Sequence, residues 1–201
     1  MSAAPELRLI ETLLWDGAGF PRLDLHMARL AQGAATLGFA HDAGAVRAAL
    51  MQAVGAQALR VRLTQGAAGD VAVTVADLPP ALAVWRLGLA SVRLVSDDPW
   101  LRVKSTRRAA YDAARAALPA GLDEVVFLNQ RDEVCDGTIT TLFFDRGQGM
   151  RTPPLTSGLL PGVLRAELAV PEEVLLAHDL PRVRLWVGNA LRGLIPAIWV
   201  T

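Results

Sequence analysis

Lysine is nearly missing from this 201-residue chain: of 20 basic side chains, 19 are arginines and one, Lys104, is a lysine. Cysteine occurs once, at Cys135, and tyrosine once, at Tyr111. A lone cysteine excludes an internal disulfide and a multi-cysteine metal cage. Neither sign of charge is in excess, because 20 acidic residues balance the 20 basic ones. That argues against nucleic acid or an anionic membrane as partner, since both call for a basic surface. Apolar runs such as ALAVW and LLPGVL stop far short of a membrane span. The opening MSAAPELRLIE carries acid early and lacks the charged-then-apolar pattern of a signal segment. The expectation is a globular cytoplasmic protein. GxGxxG, Walker, HExxH and GxSxG patterns do not occur, and His26, His41 and His178 lie too far apart in sequence to suggest a metal pair. No metal is expected.

What is present is ample material for a core, with 52% apolar residues. LRLIETLLWDG alternates like a strand entering a turn, and LDLHMARLAQGAATLGF has helical spacing with Gly38 near its end. A second helix is predicted over AGAVRAALMQAVGA, then two strands around a glycine-rich turn in ALRVRLTQGAAGDVAVTVADLPP. This β-α-α-β-β pattern predicts a small domain over residues 1–80 and a larger one over 81–201. The second half reads as one or two strands in AVWRLGLASVRLV, a helix over STRRAAYDAARAAL and strands through DEVVFLNQRDEVCDGTITTLFF. A proline- and glycine-rich loop then enters a helix at about Gly162, and strand-like segments flank Gly188-Asn189. The fold class is α+β, two domains, with the second rich in antiparallel strands.

Three features could carry chemistry. Lys104 is either a solvated surface lysine or a reactive amine. An arginine cannot surrender its proton in a protein, whereas a lysine can serve as nucleophile or base. Asp136, inside VCDGTITTLFF, is either a turn-forming Asp-Gly or a buried carboxylate that needs a cation or donor. LLPGVLR is either a simple helix start or a cradle of backbone N–H groups for an anion. Cys135 reads as a small buried residue, and His26 as a helix residue satisfied by its neighbours.

Taken in order, LIETLLWDG, LDLHMARLAQGAATLGF, VKSTRR, VCDGTITTLFF, GLLPGVLR and VGNALRGLIP resemble the class IV aminotransferase family, the fold type IV pyridoxal-phosphate enzymes. The resemblance spans nearly the whole chain. It implies two domains with the cofactor in a cleft between them, a homodimer, a small-molecule amine substrate and pyridoxal 5'-phosphate as cofactor. It implies that Lys104 binds the cofactor covalently and works as acid and base. Asp136 would face the pyridine nitrogen, where the family usually has glutamate. Gly162, Val163 and Leu164 would hold the phosphate through backbone amides, Leu164 standing where threonine is common. Arg60 would reach the phosphate, and Gly188-Asn189-Ala190 would form a second phosphate-contacting turn. Tyr111, seven residues beyond Lys104, is too far along to match the family tyrosine that contacts the cofactor's ring oxygen.

Within the family, the compact length, the LIETLLWDG opening and the GNALRG ending are most similar to the 4-amino-4-deoxychorismate lyase branch. That implies formation of 4-aminobenzoate and pyruvate. An aminotransferase for branched-chain or D-amino acids is the alternative, and a non-catalytic module retaining the fold a further one. Arg107 and Arg108 are either partners for substrate carboxylates or solvent-facing helix residues.

Overall fold

The structure, a computed structural model, describes residues 6–53 and 55–200. Of the segments read above, Met1–Pro5 of the opening and Val54 of the second predicted helix lie outside the described residues. The chain forms two compact units: one takes the chain up to Pro80 together with Val103–Arg107, the other Ala81–Arg102 and the chain from Arg108 onward.

In the first unit, strand β1 (Leu9–Trp15), helices α1 (Leu23–Leu37) and α2 (Ala43–Gln52), and strands β2 (Leu59–Gln65) and β3 (Val71–Ala76) follow the predicted order. The strands form an antiparallel sheet in the order β1-β2-β3. Alternation puts Leu9, Leu13, Val61 and Leu63 on the face packed against Met27, Leu30 and Ala34 of α1 and Val46 and Leu50 of α2. Gly38 ends α1 in the left-handed region, φ 67°, which a glycine adopts without a Cβ penalty. Asp42 caps α2 by accepting from the N–H groups of Gly44 and Ala45. Against the open edge of β1 runs a short stretch of the later chain. Ile10 N–H donates to Lys104 O at 2.9 Å, Thr106 N–H donates to Arg8 O at 2.8 Å, and Leu9 bridges Ser105.

That pairing corrects two expectations. The helix predicted from Ser105 begins only at Ala109, because the backbone of 104–106 is committed to β1. Lys104, expected with the chain beyond residue 80, packs with the first unit.

The second unit holds β4 (Trp85–Leu94), α3 (Ala109–Ala116), β5 (Glu124–Asn129), β6 (Val134–Gly137), β7 (Thr141–Asp145), α4 (Val163–Leu168), β8 (Arg184–Asn189) and β9 (Gly193–Trp199). They form a six-stranded sheet in the order β6-β5-β4-β9-β8-β7. The hairpin pairs are antiparallel, in keeping with a unit rich in antiparallel strands, and β4 runs parallel to both its neighbours. The outer strands β6 and β7 are consecutive in the chain and meet at the turn Thr138–Thr140, where Gly137 N–H donates to Thr140 O at 2.8 Å. The sheet thereby curls toward a barrel. Its interior is packed by Leu87, Val126, Leu128, Leu142, Phe144, Val187 and Ile195. On the other face of β5, Phe127 packs with Cys135, Leu101 and Leu159. β5 is buried on both sides, which accounts for its unbroken apolar run VVFL.

Candidate active site

In the second unit the candidate residues converge on the β6–β7 turn. Asp136 is 5% exposed, on β6. Its Oδ1 accepts from the Tyr111 hydroxyl at 3.1 Å, and its Oδ2 accepts from Leu160 N–H at 3.2 Å. Burial pushes the carboxyl up, the two donors and Arg108 pull it back, Glu124 opposes them, and the result is about 7. Burial and the adjacent Asp136 charge also drive the Tyr111 phenol upward, so it stays a donor. The chain's one tyrosine, read as too distant to match the family tyrosine, is instead the residue against this carboxylate. One turn of α3 brings it there, and its ring lies 4.8 Å from that of Phe127. Arg108 donates to Asp112 and to Thr138 O and lies over the Tyr111 ring, so its guanidinium is held by the protein. Burial also raises the Cys135 thiol, as suits a packing residue.

Two residues past Leu160, Gly162 caps α4, and Val163 and Leu164 form its first turn, where N–H groups lack intrahelical acceptors. A Cβ on Gly162 would stand 2.6 Å from Thr141 Oγ1. Thr141 is paired with Gly188 across β7 and β8. A Cβ on Gly188 would meet Leu164 Cδ2 and Gly193 O, each at 2.5 Å. Glycine at these two positions therefore lets the start of α4 close on the β8–β9 turn. In that turn Asn189 Oδ1 accepts from Leu191 and Arg192 N–H, its Nδ2 donates to Ile139 O at 3.1 Å, and Ala190 is buried. Asp136, Gly162, Val163, Leu164, Asn189 and Ala190 thus share one neighbourhood.

Lys104 and Arg60 belong to the first unit. Ser105 opposes Leu9 on the helix-covered face, so Lys104 projects from the other face of the sheet. Arg60 is paired with Leu14 and is exposed on that same face, two strands away. On the helix-covered face lies a group that sequence reasoning passed over. Glu11, 3% exposed, accepts from Arg29 Nε at 2.8 Å and Nη2 at 2.6 Å, with His26 Nδ1 at 2.6 Å. His26 is therefore satisfied by a neighbour, as predicted. The acid at the head of β5, Glu124, was also passed over; its one signal was an acidic residue opening a continuous apolar run.

The chemistry of this donor set fits pyridoxal phosphate. Asp136 is a buried carboxylate with two neutral donors, and a protonated pyridine nitrogen would supply the cation that lets it ionise. The first turn of α4, with Gly162 at its N-cap, presents backbone N–H groups of the kind that receive phosphate oxygens.

Comparison with known proteins agrees. The model of the family "Amino-transferase class IV" matches residues 8–198. A Schizosaccharomyces pombe protein provisionally named aminodeoxychorismate lyase is 30% identical over 176 residues, 81% of this chain and 73% of that protein. A crystal structure from Mesorhizobium loti, provisionally an amino-acid aminotransferase, is 43% identical with a TM-score of 0.92, covering 97% of this chain and all of the other. The fold is also that of 4-amino-4-deoxychorismate lyase from Pseudomonas aeruginosa, at 23% identity and a TM-score of 0.80 over 96% of this chain and 82% of the other. Among the described residues no helix is long and apolar enough to cross a membrane. The chain belongs to the class IV aminotransferase family and is a pyridoxal-phosphate-dependent enzyme with an α+β fold.

Proposed function

We propose that the protein is a lyase converting 4-amino-4-deoxychorismate to 4-aminobenzoate and pyruvate, a step of folate synthesis. The observation that carries the substrate is the 30% identity with the fission-yeast relative over most of both chains. Pyridoxal phosphate, when bound, supplies an electron sink for the carbanion that forms beside the substrate amine. Lys104 would hold the cofactor until the amine arrives, and would then take the proton from the ring carbon bearing that amine. The C–O bond to the enolpyruvyl group breaks, the ring becomes aromatic, and a proton returned to the departing enol completes pyruvate. Asp136, held in place by Tyr111 and Leu160 N–H, would face the pyridine nitrogen. The amides of Gly162, Val163 and Leu164 and the Asn189-Ala190 turn would hold the phosphate, and Arg60 would be a further phosphate contact. The enzyme works as a homodimer in the cytoplasm.

A second reading is an aminotransferase for branched-chain or D-amino acids; the 43% identity with the Mesorhizobium loti protein favours an amino-acid aminotransferase without specifying which amino acid. One assay separates the two. Purified enzyme given 4-amino-4-deoxychorismate should release pyruvate and 4-aminobenzoate in equal amounts, and Lys104→Ala should release neither. No pyruvate, together with amino-group exchange between an amino acid and a 2-oxo acid, would replace the lyase with the aminotransferase.

A further inference from the structure

Glu124 is fully buried at the start of β5, and its four acceptor positions are all filled. Oε1 accepts from the Thr138 hydroxyl at 2.5 Å and from Val125 N–H at 3.1 Å. Oε2 accepts from the Thr140 hydroxyl at 3.0 Å and from Ile139 N–H at 3.2 Å. Three of those donors belong to consecutive residues of the β6–β7 turn. The Arg115 guanidinium stands 3.6 Å away. A Cβ on Gly137 would lie 2.8 Å from the Glu124 side chain, so the turn sits directly on the carboxylate.

Each residue of that turn reaches a different part of the candidate site. Thr138 O receives Arg108, which lies over the tyrosine that donates to Asp136. Ile139 O receives the Asn189 side chain. Thr140 O closes the turn on Gly137, next to Asp136, and Thr141 beyond it stands against Gly162. None of these groups is bonded to Asp136 and Asn189 at once; the turn is what connects them.

We propose that Glu124 is a positioning residue for the cofactor. By holding Thr138–Thr140 it fixes the distance between the Asp136 carboxylate and the phosphate-binding turn at Asn189. This rests on the assignment of Asp136 and Asn189 to the two ends of the cofactor made above. A group that only stabilised the unit would affect every ligand of the site alike. A group that sets the span between the two ends acts on a ligand that uses both, and much less on one that uses the pyridine end alone.

The test compares pyridoxal phosphate with pyridoxal, which lacks the phosphate, by absorbance titration of the full chain freed of cofactor. Glu124→Gln keeps the side-chain volume but turns an amide NH2 toward Val125 N–H or Ile139 N–H, whichever way it flips. It should weaken pyridoxal phosphate about tenfold, the scale on which groups behind a ligand contact act, and leave pyridoxal nearly unchanged. Thr140→Val, which removes one donor and leaves Glu124 in place, should move the ratio the same way by less, and it decides the matter should Glu124→Gln fail to fold. Equal weakening of both ligands, or no change in either, overturns the proposal. Wild-type protein that binds neither ligand overturns it together with the cofactor assignment. Wild-type protein that binds pyridoxal phosphate but releases no pyruvate sinks the lyase reading alone.

Discussion

Glu11 and Asp136 are carboxylates buried to almost the same degree, 3% and 5% exposed, yet they are pushed in opposite directions. Burial raises both. At Glu11 the charges and hydrogen bonds of Arg29 and His26 overcome it and hold the carboxyl down at about 2. At Asp136 the close donors are a phenol and a backbone amide, and the carboxyl stays at about 7. Within the first unit Glu11 already has the Arg29 guanidinium and the His26 ring against it, so it is a structural charge. Asp136 has only neutral groups hydrogen-bonded to it, which is what the proposed role against a ligand's cation asks for. Depth of burial does not separate a structural acid from a functional one; the origin of the countercharge does.

The largest effect that would break this contrast is at Glu11. Glu11→Ala leaves Arg29 and His26 half-buried or buried without their anion and should cost about 3–5 kcal/mol of stability, read by chemical denaturation. In the parent, the folded carboxyl lies below its ordinary 4.5, so its contribution is complete above about pH 4.5 and is lost as the pH falls toward 2. That acid limb should vanish in the variant. An unchanged acid limb would mean that the ion pair is not what holds Glu11 down.

Asp136 should behave with the opposite sign. Its folded carboxyl lies above the ordinary 3.8, so the cofactor-free chain loses stability as the pH rises from about 4 to about 7. Asp136→Asn can still accept from Leu160 N–H, and it removes that loss. At pH 8 the cofactor-free variant should be more stable than the parent, by up to about 4 kcal/mol, and at pH 3 nearly equal to it. The same substitution should weaken pyridoxal phosphate. A variant that is less stable at every pH would place Asp136 with Glu11 as a structural charge.

The smallest effect is expected at Tyr111. Tyr111→Phe removes one donor from Asp136 and should cost about 1 kcal/mol. It should also shift the pH profile of cofactor binding to higher pH, because the lost hydrogen bond was holding the carboxyl down. A profile that does not move would show that the phenol packs beside Asp136 without tuning it.

Sequence alone made local features legible and left distant partnerships dark. The apolar residues around Asp136 made burial one of its two readings, and Lys104 stood out because arginine fills every other basic position. The start of α3 could not be read, because the pairing that delays it joins Lys104–Thr106 to β1, nearly a hundred residues earlier. Helix propensity over 105–108 is overridden by those backbone bonds. Tyr111 was set aside on spacing along the chain, while its contact with Asp136 spans a helix turn and two strands. Glu124 is hidden for the same reason: its meaning lies in the hydroxyls of Thr138 and Thr140, on the far side of a hairpin.

The two glycines that let α4 close on the β8–β9 turn differ in what stands against them, and that difference should be heritable. A methyl at 162 meets the tip of a side chain, Thr141 Oγ1, so an alanine there has a second-site remedy in Thr141→Ala. A methyl at 188 meets the carbonyl of Gly193, part of the backbone itself, as well as Leu164. No single side-chain change can clear that path. In a selection for suppressors, lesions at Gly162 should yield revertants at 141, whereas lesions at Gly188 should revert only to glycine.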